Sequence, residues 1–317
     1  AILAPSYEVL MLARICTAIV SGVTLSTVMT FINDIIPQEQ APRIISFVYA
    51  GFSVASVLGT PIGTLLSDAF GIKSAFVAVE AVALLVTVLL LISVPRSGST
   101  DVSSSVREQL VILKDRRIIL VLVMKAFGMA ATYVFYVYVT PILEDSVGLS
   151  VWMVSLVLFF YGGATIVSNL GSGSLAQRYG LGKLPLMFAL QAVVLVLLGV
   201  SLASGNTVLC IINVVLTGVF IYHMNAPLQS YLLQVSAKDY PRALTLASAV
   251  MPTSSDIGIA TGSFMGGVVA TNLGFAWSGP VGAVLAVVSV VAAFMILQPE
   301  SRMGGSLRSR LRRNRKQ

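Results

Sequence analysis

Nine apolar runs divide this chain and constrain its fold more than any other feature of the sequence. About 20 predominantly apolar residues in helical form cross the hydrocarbon core of a bilayer. Charged residues make up only 10% of the 317 residues and hydrophobic residues 56%, whereas soluble domains are about 25% charged. The sequence therefore predicts an all-α polytopic membrane protein with nine spans, at about 8–35, 42–69, 73–95, 117–142, 150–175, 183–203, 206–235, 242–271 and 277–297.

The positive charges fall in alternate connections between these runs. Of the 20 Lys and Arg residues, 17 lie in one set of connections and in the tail, and only Lys73 lies in the other set. Cytoplasmic loops carry the excess of Lys and Arg, so we expect the C-terminus to be cytoplasmic in a bacterial inner (plasma) membrane. The net charge of +7 is then a topology signal, and the basic tail is expected to touch anionic lipid. Nucleic acid is not an expected partner.

The sequence gives no pattern for a disulfide, a metal site or an intramembrane enzyme. Cys16 and Cys210 both lie inside apolar runs, and His223 is the one histidine of the chain. Metal sites and intramembrane catalysis need clustered acids, histidines or cysteines. We therefore expect neither an enzyme nor a protein with a cofactor or a metal ion.

A segment centred on Gly59-x-Pro61-x-Gly63 has a counterpart about 200 residues later. An offset of 199 residues places Pro42 and Arg43 on Pro241 and Arg242, and it places the two glycines on Gly258 and Gly262. Glycines let membrane helices approach closely, and a proline is tolerated where neighbouring helices satisfy the freed backbone groups. Internal duplication on this scale is typical of transporters built from two related bundles.

The period of about 200 residues corresponds to a unit of six helices. The predicted domains are the last three helices of a first bundle (1–95), a cytoplasmic linker (96–117), a complete second bundle (118–298) and a basic tail (299–317). We expect three further helices before Ala1. In the linker, Ser105-x-x-Glu108 resembles a capping box. Val106, Leu110 and Leu113 would form one apolar face of a short surface helix.

Three motifs resemble the major facilitator superfamily, specifically its drug:proton antiporter branch, which includes arabinose-exporter-like and chloramphenicol-exporter-like proteins. Leu10-x-x-x-Arg14 followed by Gly22 is similar to the fourth-helix motif, although Ala18 stands where a glycine is usual. The segment 55–64 is similar to the fifth-helix antiporter motif. The segment 173–180 resembles the loop between helices eight and nine, with Gln177 in place of the usual Asp. The resemblance covers essentially the whole chain and aligns it with helices four to twelve of twelve.

The resemblance implies a monomeric secondary transporter that alternates access to a site between its bundles. It further implies proton-coupled efflux of a small organic solute, such as a drug, a sugar or a nucleoside, driven by the proton gradient. Two alternatives stay open at this point. One is a facilitative or sugar-specific exporter of the same fold, and the other is an inactive truncated fragment.

Six side chains are candidates for a substrate and proton cavity. Arg14 is a cavity cation in the family motif, or it snorkels to the membrane surface. Lys125 and Asp256 lie near the middle of their spans, where charged groups are costly and are usually functional, but the two could simply pair with each other. The remaining candidates could line the cavity or serve only in packing: Tyr133, His223 and Asn225.

Two other groups of residues are candidates for conformational change. Gly59, Pro61, Gly63, Gly258 and Gly262 would let helices five and eleven slide against their neighbours. Asp34 and Arg43 are close enough in sequence to pair at the cytoplasmic end of their helices. Together with Arg178, they form the predicted cytoplasmic gate.

Overall fold

The computed structural model describes residues 6–37, 39–93 and 106–314, and within these ranges every regular element is a helix. The predicted all-α class is therefore confirmed. The helices are α1 (Tyr7–Ile35), α2 (Ala41–Phe70), α3 (Ile72–Ser93), α4 (Val106–Gln109), α5 (Arg116–Tyr136), α6 (Val139–Pro141), α7 (Val151–Tyr179), α8 (Leu184–Ser204), α9 (Thr207–Phe220), α10 (Asn225–Asp239), α11 (Leu244–Asn272) and α12 (Ser278–Asn314). One π-helical turn, Ile142–Ser146, follows α6.

The long helices occupy the nine predicted runs, with α9 and α10 sharing one run. Seven segments in the described part of the chain are long and apolar enough to cross a membrane. The helices α2 and α11, of 30 and 29 residues, are not among these seven. Both carry the duplicated glycine- and proline-containing segments, whose small and hydroxyl-bearing residues lower their hydropathy. Such helices pack best against other helices, because close backbone approach replaces contact with lipid.

Side-chain caps set where several helices begin. Asp115 accepts a hydrogen bond from the backbone N–H of Arg117 at 2.8 Å, at the start of α5. Asn206 accepts one from Leu209 at 3.0 Å, at the start of α9. Each cap satisfies an N–H group that has no partner inside its own helix. These polar residues therefore mark the borders of the apolar runs.

The duplication is visible in backbone geometry at two glycines 203 positions apart. Gly71 ends α2 with φ 84° and ψ 160°, and Gly274 follows α11 with φ 85° and ψ 161°. Only glycine adopts such angles without strain. The matching angles indicate that the two copies leave their duplicated helix by the same turn.

In the second bundle, α11 packs on α5 through a row of glycines. A Cβ atom on Gly262 would lie 2.5 Å from the carbonyl oxygen of Ala130, and one on Gly258 would overlap the carbonyl of Ala126. On the same row, Gly266 faces the carbonyl of Val134. The two backbones are therefore in direct contact over about two turns. Larger residues here would force the helices apart.

The first part of the chain is much less enclosed. Helix α3 packs against α2, and its window of highest hydropathy contains no buried residue. Leu84, Leu91 and Ile92 are 68%, 77% and 78% exposed. Exposed apolar side chains of this kind are stable in a membrane, because lipid tails are as apolar as leucine.

Contact between the two parts is concentrated at one end of the molecule. We call this the basic end, because Arg43, Arg178, Lys183 and Arg242 lie there. A buried cluster joins α1 and α2 to α7 and α10 at this end, and its members are Met29, Ile32, Ile45, Tyr49, Ala176, Ala226 and Leu233. Farther along α2, Leu58 and Ile62 are 50% and 52% exposed. The two parts therefore diverge away from the basic end.

The linker differs from the predicted amphipathic helix. Ser105, the predicted cap, lies outside the described residues. The segment forms one α-turn, Val106–Gln109, followed by a 3-10 helix, Leu110–Lys114. Residues three apart share a face of a 3-10 helix, so Leu110 and Leu113 lie on one side, where both are exposed, while Ile112 is buried. The linker therefore differs from the prediction in forming two short helical segments instead of one helix.

Candidate functional site

A cavity of about 280 Å³ lies between α1 and α2 on one side and the second bundle on the other. Helices α5, α7, α10 and α11 contribute to its wall, together with the residues that join α9 to α10. Eight polar side chains line it: Ser21, Tyr49, Lys125, Asn169, Tyr222, Asn225, Ser255 and Asp256. The cavity therefore presents one positive charge, one negative charge and several hydrogen-bonding groups to a solute.

Lys125 is held by an amide that belongs to a longer chain of hydrogen bonds. Its side chain is 2% exposed, and its Nζ donates to Oδ1 of Asn225. The Nδ2 of Asn225 donates to Oδ1 of Asn169 at 2.6 Å. Asn169 in turn donates to the backbone carbonyl of Tyr49 at 3.2 Å. The chain connects α5, α10 and α7 to α2, so the lysine is linked to the opposite side of the cavity.

Tyr49 is the residue of α2 at the centre of this contact. The Nζ of Lys125 lies 5.6 Å from its ring centroid, a distance at which a cation is attracted to an aromatic face. Its hydroxyl donates to Oε1 of Gln229 on α10 at 3.3 Å. Tyr49 therefore contacts three helices of the second bundle, α5, α7 and α10.

Asp256 lies on α11 and is exposed to the cavity. Among the side chains that the structure describes, no lysine or arginine forms an ion pair with its carboxylate within 4.0 Å. Lys125 lies on the same cavity wall, so each charge influences the other without contact. The two groups thus remain available to a third partner.

The predicted continuous span over 206–235 is interrupted in the structure. Helix α9 ends at Phe220 and α10 begins at Asn225. The hydroxyl of Ser168 accepts from the backbone N–H of Tyr222 at 3.0 Å, and that of Ser172 accepts from Ala226 at 3.4 Å. A broken helix inside a membrane protein needs such partners, because lipid offers none. The break places Tyr222 and Asn225 in the cavity wall.

Two candidates from the sequence lie in the second bundle rather than in the cavity wall. The Nδ1 of His223 lies 2.5 Å from the carbonyl oxygen of Phe220, and its ring meets that of Phe188 edge-on at 4.8 Å. Tyr133 packs against Tyr136 with ring centroids 5.5 Å apart. Tyr136 stacks on Tyr161 at 4.9 Å. These rings form an aromatic layer behind the cavity wall.

The remaining candidates lie at the basic end, on α2 or outside the described side chains. Arg43 lies on α2 with its guanidinium 5.9 Å from the ring of Phe47, and Arg178 is exposed at the end of α7. Among the described residues, a Cβ atom added at Gly59 or Gly63 would have no neighbour within 4 Å, whereas one added at Gly258 or Gly262 would overlap a carbonyl of α5. The side chains of the other three candidates lie outside the described residues: Arg14, Asp34 and Pro61.

A second contact at the basic end was not expected from the sequence. Gln177, which replaces the usual Asp of the loop motif, donates from Nε2 to the backbone carbonyl of Glu39 at 3.3 Å. A Cβ atom on Gly173, one turn earlier, would lie 2.8 Å from the Cβ of Ser46. These contacts bring α7 onto α2 and onto the turn before it, and they close this end of the cavity.

Charged residues also join the linker to the second bundle at this end. Arg117 contacts Asp115 at 2.7 Å and Asp239 at 2.6 Å. The hydroxyl of Tyr240 donates to Asp115 at 3.1 Å. The hydrogen bond from Arg117 holds the pKa of Asp115 below its ordinary value. This cluster fixes the position of the first turn of α5 relative to the C-terminal end of α10.

Tyr49 and Asn169 are members of the site that were not expected from the sequence. Both lie in apolar runs, at positions where a tyrosine or an asparagine also serves packing. Asn169 is an amide in the middle of a span, and that position was the available signal, because such polar groups require a partner. In the described ranges, no three His, Cys, Asp or Glu side chains come together as metal ligands.

Comparison with known proteins places the chain in a family of transporters. The sequence profile of the Major Facilitator Superfamily matches residues 1–241. The uncharacterized MFS-type transporter YtbD of Bacillus subtilis is 30% identical over 289 residues, which cover 91% of this chain and 72% of YtbD. The inner membrane transport protein YdhP of Escherichia coli K12 is 25% identical over 302 residues, covering 94% of this chain and 76% of YdhP.

Solved structures show the same fold at low sequence identity. The transporter FucP, in its outward conformation, superimposes with a TM-score of 0.66 at 14% identity, covering 86% of this chain and 72% of FucP. A bacterial homologue of the iron transporter ferroportin, in an outward-facing state, gives 0.67 at 16% identity, covering 92% of this chain and 73% of that protein. Together with the profile match over residues 1–241, these findings identify a multi-pass membrane transporter rather than an enzyme, and the chain belongs to the major facilitator superfamily.

Proposed function

We propose that this protein is a proton-coupled efflux transporter for a small organic solute. The observation that carries the proposal is the Asp256 carboxylate, which opens onto the cavity between the bundles without an ion pair in the described part of the chain. A carboxylate there can hold either a proton or a positively charged group of the solute, but not both. Exclusive occupancy of this group couples two opposite fluxes provided that the bundles change conformation only when the carboxylate is occupied.

The contacts at the basic end support alternating access in this scheme. The helices α2 and α7 meet at Ser46 and Gly173 and again at Tyr49 and Asn169, whereas Leu58 and Ile62 farther along α2 are half-exposed. The positive-inside distribution places the basic end in the cytoplasm. In this state the cavity faces outward, where Asp256 exchanges solute for a proton. Rocking of the bundles about the cavity then carries the proton inward.

The antiporter-type motif on α2 and its copy on α11 further support the efflux direction by resemblance. A facilitative exporter of the same fold is the competing function. It differs in one measurable respect, because its flux persists when the proton gradient is collapsed.

The test uses purified protein in vesicles loaded with a pH-sensitive dye. Addition of a transported solute under a pH gradient should change the luminal pH in the wild type. We expect Asp256→Asn to abolish this gradient-driven exchange while solute binding stays measurable, since the other cavity groups are unchanged. The matched control is Glu80→Gln on α3, an exposed carboxylate that is not part of the cavity lining and whose variant should transport normally. Unchanged gradient-driven transport by Asp256→Asn would remove this carboxylate from the mechanism.

A further inference from the structure

The two charges of the cavity share its wall but do not neutralise each other. Lys125 is 2% exposed and points at Asn225, while Asp256 lies on α11 without an ion pair among the described side chains. An isolated charge inside a membrane protein is costly and usually has a functional partner. The cavity therefore contains two charges of opposite sign, neither of which is neutralised by an ion pair among the described side chains.

The backbone keeps these two charges at a fixed spacing. Gly258, two residues after Asp256, packs directly on the carbonyl of Ala126, the residue after Lys125. The lysine side chain is further held by Asn225 and lies over the ring of Tyr49. Closing the gap would require breaking the Asn225 hydrogen bond or separating two helices in backbone contact. A bound molecule can satisfy both charges without either change.

The rest of the lining limits the size and polarity of that molecule. Drug-sized sites usually have cavities of roughly 300–1,000 Å³, and this cavity of about 280 Å³ is at the lower end. Leu25, Met129 and Pro252 supply apolar wall beside the polar groups. A compact molecule with one apolar substituent fits this combination.

We propose that the solute is a small zwitterion of the amino-acid type. Its carboxylate binds Lys125 and the amide of Asn225, its ammonium binds Asp256, and its side chain lies against the apolar wall. A simple amine would leave Lys125 unmatched, and a simple acid would leave Asp256 unmatched. Each would therefore pay for a buried charge that the zwitterion neutralises.

This proposal rests on the proposed function for its coupling step. A proton and the solute ammonium compete for the same carboxylate, so the loaded protein carries one or the other. Exchange of an electrically neutral zwitterion for one proton moves one net positive charge per cycle. The exchange is therefore expected to respond to the membrane potential as well as to the pH gradient.

The experiment measures binding without a gradient, by thermal stabilisation of the purified protein in detergent near neutral pH. The probes are two matched sets: leucine, 3-methylbutylamine and 4-methylpentanoate; and phenylalanine, phenethylamine and 3-phenylpropionate. Within at least one set, we expect the amino acid to bind at least about tenfold more tightly than either single-charge analogue. Lys125→Met should shift the preference to the amine, and Asp256→Asn should shift it to the acid. Lys183→Met, at the exposed basic end, should leave the ranking unchanged.

Two results would overturn the proposal. One is that an amine or an acid binds the wild type as well as its amino acid, or that no amino acid of either set stabilises the protein. The other is that the two cavity variants leave the ranking of the wild type intact. Zwitterion binding combined with normal gradient-driven transport by Asp256→Asn would instead refute the proton coupling and leave the solute class standing.

Discussion

A lysine buried in the middle of a membrane span is among the costliest side chains that a helix can carry. Lys125 is tolerated because Asn225 accepts a hydrogen bond from its ammonium group and the ring of Tyr49 lies close to its charge. The same contacts join two bundles that must separate during transport. Release of Tyr49 from the lysine is therefore part of any opening at the basic end.

At the residue scale, the pH response of the Asp115 cluster can be predicted with its sign. Arg117 lowers the pKa of Asp115 in the folded protein. The stabilisation is therefore fully present above the ordinary pKa of 3.8 and is lost as the pH falls through the lower folded value. We expect Asp115→Asn to cost up to about 1 kcal/mol of stability at neutral pH, since the pair is partly exposed.

The measurement is the melting temperature in detergent as a function of pH. The difference between wild type and Asp115→Asn should be constant from neutral to mildly acidic pH and should shrink in stronger acid. Asp145→Asn, at an exposed carboxylate, serves as the control and should show no such difference. A gap that instead widens on acidification would contradict the assigned role of Arg117.

Side-chain chemistry alone identified part of the cavity from the sequence. Lys125, Asn225 and Asp256 stand out because a polar group within an apolar run has a high burial cost and therefore needs a partner. Asn169 carries the same signal but was not selected, and Tyr49 could not be chosen in this way. Their importance comes from the crossing of α2 over α7, and the angle of that crossing depends on contacts far apart in the chain.

At the element scale, the glycine row of α11 decides how closely the helix approaches α5. We expect Gly262→Ala to destabilise the protein by about 1–3 kcal/mol, because the added methyl group would meet the carbonyl of Ala130 and push the helices apart. Gly171→Ala on α7 is the matched control, since a Cβ there has no neighbour within 4 Å. It should be neutral or stabilising by up to about 1 kcal/mol, given the higher helix propensity of alanine.

Thermal unfolding of the two purified variants in the same detergent provides the comparison. Equal melting temperatures would mean that the close approach of α5 and α11 does not exist in solution. Reduced transport by Gly262→Ala at unchanged stability would mean that the added methyl group hinders the conformational change and not the folding of the protein.

The boundaries of the elements were predictable where a cap or a turn residue marks them. Gly71 ends α2 and Gly274 follows α11, and the two glycines adopt the same conformation. The break between α9 and α10 was missed, because Ile221–Met224 contains neither glycine nor proline. Pro227 was the available signal, since proline is favoured in the first turn of a helix and cannot donate a hydrogen bond to the preceding turn.

At the scale of the whole molecule, the contact at the basic end should open and close during transport. Ser46 and Gly173 lie close enough for a cysteine pair, because the Cβ separation of 2.8 Å needs only a small shift to reach the usual 3.5–4.5 Å. We expect the double variant Ser46→Cys, Gly173→Cys to lose transport when oxidised and to regain it on reduction. The disulfide would hold the cavity open to the other side.

The two single-cysteine variants, treated with the same oxidant, are the controls, and the activity that each has before treatment should not fall on oxidation. The native Cys16 and Cys210 are replaced by serine in all versions, so that no other pair can form. Normal transport by the cross-linked protein would show that this contact does not separate in the cycle.

The backbone contact between Gly258 and Ala126 has a consequence for selectivity. It fixes the backbone positions of Lys125 and Asp256 relative to each other within one half of the molecule. We therefore expect the distance between the two residues to be the same whichever compartment the cavity faces. Tyr49 and the lining residues of α1, which the opposite half carries, move relative to these two charges. A solute recognised on one side is then recognised equally on the other, and the direction of net movement is left to the gradients.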